Sequence, residues 1–130
     1  MSKKINVFLA LVFLMLFAVS CTTSTSVGGA SLETGYEINS DYEIVNVNTT
    51  FNAGEDFYFS FFNNEDFGSN VVTIQLIDSE SDTLLYEFDY QVEEDWNILA
   101  DQVFFNDPGK YKIAIIINGK TRATQEVIIQ

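Results

Sequence analysis

Apolar residues recur at every second position along most of this chain, and this spacing constrains the fold more than any other feature. Residues 57–61, 72–76 and 111–115 each alternate large apolar side chains with smaller or more polar ones. A period of two directs one row of side chains to a core and the other toward water, as in an antiparallel sheet with one covered face. Helices need a period near 3.6. We therefore predict an all-β fold.

Turn-forming residues separate the alternating segments. Asn118-Gly119 lies between two apolar runs. It is typical of a two-residue hairpin turn, because both residues tolerate a positive φ. Seven strands are predicted, at residues 36–48, 55–63, 71–78, 83–91, 97–105, 110–118 and 121–129. Their short and regular spacing favours a sandwich of two sheets, with a jelly roll or a small barrel as alternatives.

The charge balance and the side-chain inventory exclude several classes of function. The chain has 6 Lys and Arg against 19 Asp and Glu, a formal net charge of -13, which repels the phosphates of nucleic acids. It has no His and one Cys, which excludes His-based triads, Cys-His dyads, zinc sites built on these residues and an internal disulfide. We therefore expect no enzyme, no catalytic residue, no cofactor and no metal.

The first 20 residues are predicted to be a signal peptide. Lys3 and Lys4 provide a positive start, and Asn6 is the only polar side chain of residues 5–19. A helix of that length rises about 22 Å, whereas the hydrocarbon core of a membrane is about 30 Å thick. The segment therefore fits a cleaved signal better than a spanning helix.

The residues that follow, Ala18-Val-Ser-Cys21, resemble the lipobox of bacterial lipoproteins. In that family the thiol is acylated and the preceding peptide is removed, so the resemblance implies lipid attachment at Cys21. It also implies export by the general secretory route and a lipid-anchored place in the cell envelope, at the outer membrane if the organism has one. The alternatives are a plain secretory signal and an uncleaved anchoring helix.

A small, polar and uncharged run follows the cysteine, at residues 22–31. Such a run buries little and is typical of a flexible spacer. We place the signal peptide at 1–20, the lipidated cysteine and linker at 21–35, and one folded domain at 36–130.

The segment 107–113, Asp-Pro-Gly-Lys-Tyr-Lys-Ile, resembles the Asp-x-Gly/Ala-x-Tyr-x-Cys stretch of immunoglobulin-like domains. The resemblance implies that Tyr111 is a corner tyrosine, whose hydroxyl bonds back to the chain just upstream. It also implies that Ile113 fills the core position of the second disulfide cysteine. The fold implied is an immunoglobulin-like antiparallel β-sandwich of about seven strands.

Two further core positions follow from the same resemblance. Phe59 or Phe61 would face Ile113 from the second strand, and Ile74 would replace the tryptophan of the third strand. These departures exclude an antibody-type domain and leave the wider immunoglobulin-like class of bacterial surface and periplasmic modules.

Acidic loops are candidate sites for calcium or for catalysis. Asp78, Glu80 and Asp82 alternate along one loop, but Thr83 stands where a calcium-binding EF-hand loop needs glycine. A weak calcium site shared with a second polar loop is an alternative, and the residues of that loop are Asn63, Glu65 and Asp66. Two further clusters of acids are Glu93-Glu94-Asp95 and Glu55-Asp56. Adjacent acids on a strand point to opposite faces, so neither cluster alone makes a catalytic pair.

Exposed aromatic and aliphatic residues are candidate contact points. Trp96 lies in an acidic segment, where it could stack on a sugar or a partner, or else cover the core. A possible contact patch is formed by the apolar residues of the outward rows, Tyr58, Phe62, Ile77 and Ile116.

The function expected from the resemblance is a non-catalytic binding, adhesion or assembly-accessory role in the cell envelope. The expected partners are the membrane, through the N-terminal lipid, and a protein of the envelope, with the oligomeric state open. The alternatives are a calcium- or carbohydrate-binding extracytoplasmic domain and a purely structural envelope component.

Overall fold

A computed structural model describes residues 22–130, so the predicted signal peptide and Cys21 lie outside the described residues. Within this range the chain forms eleven strands and no helix. The strands are β1 (Ser24–Ser26), β2 (Ser31–Gly35), β3 (Glu37–Ile38), β4 (Ile44–Val45), β5 (Thr50–Phe51), β6 (Phe57–Phe62), β7 (Val71–Asp78), β8 (Thr83–Gln91), β9 (Ile98–Val103), β10 (Gly109–Ile117) and β11 (Lys120–Ile129). The predicted all-β class is confirmed.

Two sheets hold most of these strands. The larger sheet has the order β1-β11-β10-β7-β8, and the short β5 runs parallel to the end of β11. The smaller sheet has the order β2-β6-β9, and β3 and β4 form a separate hairpin. All pairings except that of β5 are antiparallel. From β6 onward the chain changes sheet after β6, β8 and β9, while β7-β8 and β10-β11 are hairpins within one sheet.

The apolar rows of the two sheets meet in one core. Phe59 and Phe61 on β6, Ile74 on β7 and Ile113 on β10 are each 0 % exposed. The predicted core positions of Ile74 and Ile113 are confirmed, and both alternatives for the position on β6 are buried. Alternation explains this burial, because the neighbours of these residues on each strand face the other way. Complete burial of a phenylalanine or isoleucine side chain contributes about 1.5–3 kcal/mol by transfer estimates.

Stacked aromatic rings extend the core to one end of the sandwich. The ring of Phe51 lies 3.9 Å from that of Phe57, and the ring of Phe105 lies 4.1 Å from that of Tyr111. The Tyr111 hydroxyl donates a 2.8 Å hydrogen bond to the backbone oxygen of Asp107. This is the upstream bond that the sequence resemblance implies, and it fixes the turn that leads into β10.

The predicted strand at 36–48 is wrong, because this segment is a hairpin of two-residue strands. Asn39 closes its tip, with its side-chain oxygen accepting the backbone N–H groups of Asp41 and Glu43 at 2.9 and 3.0 Å. Tyr42 takes a φ of 63°, which a continuous strand does not allow. The Ser60 hydroxyl donates to the Tyr42 carbonyl at 2.6 Å, so the hairpin covers part of the outer face of the smaller sheet.

Two parts of the predicted linker, 21–35, belong to the sheets. Ser31–Gly35 pairs with β6, and Leu32 and Thr34 are buried. Ser24–Ser26 pairs with β11, although its side chains are exposed. The polar composition suggested a spacer, but the backbone of this segment has β-sheet partners that composition does not indicate.

Candidate binding cleft between the sheet edges

The edge strand β8 carries an aromatic row that the core does not cover. The register pairs Tyr86 with Leu76 and Phe88 with Ile74, so both aromatic side chains lie on the core-facing side of the larger sheet. Tyr86 is nevertheless 64 % exposed and Phe88 45 % exposed. The smaller sheet ends at β9, and within residues 22–130 no further strand of that sheet covers the inward side of β8. The inward side of β8 is therefore open to solvent.

A β-bulge sets which residues of β8 face inward. The pairing shifts between Leu76 and Ile77, so that Leu76 pairs with Tyr86 while Ile77 pairs with Leu84. Leu85 is the extra residue of this bulge. As a result Leu84 leaves the inward row in which strict alternation would place it.

A cleft of about 840 Å³ lies between the edges of β8 and β9. Its apolar lining residues come from both sheets, and they are Leu76, Leu85, Tyr86, Phe88, Val103, Phe104, Phe105 and Tyr111. Phe104, in the segment after β9, is 51 % exposed and also lines this cleft. The volume of the cleft lies within the range of small-molecule binding pockets, about 300–1,000 Å³.

Tyr90 and Asp101 bound the cleft and join the two sheet edges. The Tyr90 hydroxyl donates a 2.8 Å hydrogen bond to the Asp101 carboxylate. Burial raises the pKa of Tyr90, and the hydrogen bond and negative charge of Asp101 raise it further. Asp101 pairs with Phe59 across β6 and β9, so this acid occupies a position in the core-facing row. An inward-pointing charge of this kind protects a sheet edge from unwanted pairing.

The electrostatic character of the cleft is acidic. The carboxylates of Asp101 and Asp107 contribute to its lining, and within residues 22–130 no Lys or Arg lines it. At the Asp107 end, burial raises the pKa of Tyr111, and the negative charge of Asp107 adds to that effect. The cleft therefore favours a ligand or partner that combines apolar groups with positive charge.

A second, smaller cleft of about 440 Å³ lies at Tyr42 and Trp96. These rings are 55 % and 47 % exposed. Asp95 and Asn97 also line this cleft. The sequence allowed two roles for Trp96, a contact point for a ligand or a cover over the core. The exposure of its side chain favours the contact point.

The two acidic loops proposed for calcium do not come together. Residues 63–70 precede β7 and residues 78–82 follow it, so a strand of eight residues, about 25 Å long, separates them. Asn63 is buried and bonds to the Glu65 carbonyl and to Arg122, at 2.9 and 3.0 Å. Its side chain therefore supports the loop, and the shared site is wrong.

The paired acids proposed for catalysis are also far apart. Residues 55–56 precede β6, whereas residues 93–95 lie beside the loop that follows β6, where Gly68 donates to the Glu94 carbonyl. Within residues 22–130 no group of three or more Asp, Glu, Cys or His residues gathers as a metal-binding cluster.

The four outward apolar residues lie on two opposite faces. Tyr58 and Phe62 belong to the smaller sheet, and Ile77 and Ile116 belong to the larger one. The single patch expected from the sequence is therefore wrong.

No protein-family model matches this chain, and no curated protein is significantly similar to it. Among residues 22–130 there is no helix of the length and apolar character that a membrane crossing requires.

Proposed function

We propose that this chain is a lipid-anchored protein of the bacterial cell envelope, with an immunoglobulin-like module that binds a protein partner through the cleft between β8 and β9. The role is non-catalytic, in binding, adhesion or assembly. The observation that carries the binding role is the aromatic row of Tyr86 and Phe88, which faces the core side of its sheet and remains uncovered.

The strand order and the tyrosine corner support the immunoglobulin-like assignment. Two antiparallel sheets connected by repeated changes of sheet are typical of that class, as is a tyrosine at the start of a late strand that bonds back upstream. Tyr111 makes this bond, and Ile113 lies two residues further on in the centre of the core.

The position of β1 limits the distance between an anchored module and the membrane. Only three residue steps separate Cys21 from Ser24, where pairing with β11 begins. Three extended residues span about 10 Å. An acyl chain on Cys21 would therefore hold the sandwich close to the membrane surface, whereas the predicted linker of 21–35 would let it range much further.

Fatty-acid labelling tests the anchor. Cells that express the full chain in radiolabelled palmitate should label the wild type and leave Cys21→Ser unlabelled, and globomycin should cause the unprocessed form to accumulate. Absence of label in the wild type would refute the anchor without affecting the cleft.

Site-specific photo-crosslinking in cells tests the cleft. A photoreactive residue at Phe88 should give a discrete crosslinked product, and the same residue at the exposed Thr121 on β11 is the matched control. Crosslinking at 88 and not at 121 supports a partner in the cleft. No product, or equal products at both positions, would refute it and favour a purely structural component.

A second candidate function is carbohydrate binding at the smaller cleft. Tyr42 and Trp96 offer exposed rings beside Asp95 and Asn97, and sugar rings stack on aromatic faces while their hydroxyls bond to such polar groups. A glycan array with the wild type and Trp96→Ala tests it. Binding that the substitution abolishes supports the candidate, and no binding rejects it.

A further inference from the structure

We propose that the partner is an extended peptide segment, with alternating large apolar and basic side chains, that docks along β8 as an added strand of the larger sheet. This inference rests on the binding role of the cleft and specifies the chemistry of the partner. It draws on the edge of β8, on its inward row and on its outward row.

The edge of β8 offers backbone groups for a new strand. β8 is the last strand of its sheet, and no other strand of residues 22–130 pairs with its outer side. Beyond the bulge at Leu85, residues 86–91 keep a regular register with β7. Six residues of strand extend about 20 Å, which is long enough for peptide recognition by strand addition.

The inward row supplies apolar contacts. Side chains of an added strand on this side would enter the cleft beside Tyr86 and Phe88, which Phe104 also lines. The Tyr86 and Phe88 rings lie 5.8 Å apart and nearly parallel, which gives the row a continuous surface. Alternate positions of the partner should therefore be large and apolar.

The outward row supplies negative charge. Glu87 accepts a 3.4 Å hydrogen bond from the Gln75 amide, and Asp89 accepts a 2.7 Å bond from the Thr73 hydroxyl. Within residues 22–130 neither carboxylate has an ion-pair partner, since the two ion pairs present involve Glu126 and Asp82. Cross-strand neighbours of opposite charge stabilise an added strand, so the remaining positions of the partner should be Lys or Arg.

The same charges disfavour a second copy of this chain. Antiparallel pairing of two β8 strands about Glu87 places Glu87 opposite its own copy, and pairing about Phe88 places Glu87 opposite Asp89. Like charges directly opposite are destabilising. The net charge of -13 on each copy adds a long-range repulsion.

Synthetic peptides binding to the full chain in lipid nanodiscs test the proposal. The probe is a fluorescent heptapeptide, Val-Lys-Phe-Lys-Val-Lys-Val, and the measurement is fluorescence anisotropy. A peptide of the same composition with its lysines grouped at one end controls for simple attraction to an acidic protein, and a glutamate version controls for charge sign. Of the three peptides, we expect only the alternating lysine peptide to bind.

Charge reversal on the protein locates the site. The double substitution Glu87→Lys/Asp89→Lys should lower the affinity for the alternating lysine peptide about tenfold, and it should allow the glutamate version to bind. Glu33→Lys/Glu37→Lys changes the net charge equally at two exposed positions by β2, the strand at the opposite end of the smaller sheet from β9, and should change affinity by less than about twofold. Equal binding of the grouped peptide, or equal effects of the two double variants, would overturn the proposal.

Amide exchange distinguishes strand addition from any other use of the cleft. Saturating peptide should slow hydrogen exchange at residues 86–91 and leave residues 120–129 of β11 unchanged. If the peptides do not bind while the crosslink from position 88 persists, strand addition fails and the binding role of the cleft stands. Loss of the crosslink removes the binding role itself.

Discussion

The Tyr90 hydroxyl on β8 donates a 2.8 Å hydrogen bond to the Asp101 carboxylate on β9, and this bond joins the open edges of the two sheets. Tyr90 also packs edge-on against the buried ring of Phe59, with 6.4 Å between the ring centres. The cleft lies beside this pair and extends to Phe105 and Tyr111. The Tyr90–Asp101 bond therefore limits how far the edges can separate.

Removing the Tyr90 hydroxyl should lower stability and change its alkaline pH dependence. The pKa of Tyr90 is raised by burial and by Asp101, so the folded chain holds the phenol proton more tightly than the unfolded chain. That contribution is complete below the unfolded pKa of about 10 and is lost as the pH rises above it. Tyr90→Phe should be about 0.5–1.5 kcal/mol less stable at neutral pH, and its stability should fall less steeply above about pH 10.

Urea unfolding between about pH 8 and pH 11 measures this effect. Tyr86→Phe, on the same strand and 64 % exposed, is the matched control and should leave the curve nearly unchanged. Parallel curves for wild type and Tyr90→Phe at every pH would contradict the assignment.

Replacing Glu126 should make stability less sensitive to acid. Its carboxylate accepts hydrogen bonds from Thr23, from Lys110 at 3.1 Å and from Ser79 at 3.2 Å. Burial alone would raise the pKa of Glu126, but these bonds and the charge of Lys110 hold that pKa below its usual value. The stabilisation is present above the unfolded pKa, near 4.5, and is lost as the pH falls through the folded pKa.

Glu126→Gln should therefore be about 1 kcal/mol less stable than wild type at pH 7, and the two should converge well below pH 4.5. Thermal unfolding at both pH values measures the difference. A gap that stays constant into acid would show that the loss is not electrostatic.

Truncating the centre of the core should cost most of the stability. Phe59→Ala and Ile113→Ala each leave a cavity at a position with 0 % exposure, and such substitutions cost about 3–5 and 2–5 kcal/mol. Phe62→Ala, on the same strand as Phe59 but 42 % exposed, should cost less than about 1 kcal/mol. Equal melting temperatures for Phe59→Ala and Phe62→Ala would refute the register of β6.

Adding a methyl group at Gly35 should loosen the β3-β4 hairpin. A Cβ built there would lie 2.6 Å from Ile44 Cγ2 and 3.0 Å from the Asn46 carbonyl oxygen, so the hairpin would have to move away. Gly35→Ala should cost about 1–3 kcal/mol in urea unfolding. Gly119 is required for a different reason: its φ is 75°, although a Cβ there would meet no neighbouring atom within 4 Å. A neutral Gly35→Ala would show that the hairpin is not held against β2.

The strands with strong alternation were predictable from the sequence. All six strands from β6 to β11 fall within one or two residues of the predicted bounds, because each carries a clear inward row. The Asn118-Gly119 turn also has the expected positive φ values, 53° and 75°. The small N-terminal strands were not predictable, since their polar residues pair through the backbone and give no periodic signal.

The cleft was missed because alternation identifies a row but not what covers it. Tyr86 and Phe88 have the pattern of core residues, and only the number of strands in the facing sheet decides that they stay open. One signal was present in the sequence. Asp101 interrupts the inward row of Leu99 and Val103, and an acid at such a position indicates an edge that is not fully closed.

Hydrogen exchange of β8 in its native membrane tests the central claim most directly. The full chain is measured in membranes isolated from the cells that produce it and again after purification into nanodiscs, with residues 120–129 as the internal reference. If a partner strand occupies the cleft, amides of residues 86–91 exchange more slowly in the native membranes than in the nanodiscs. Identical exchange of these amides in both preparations would contradict the account.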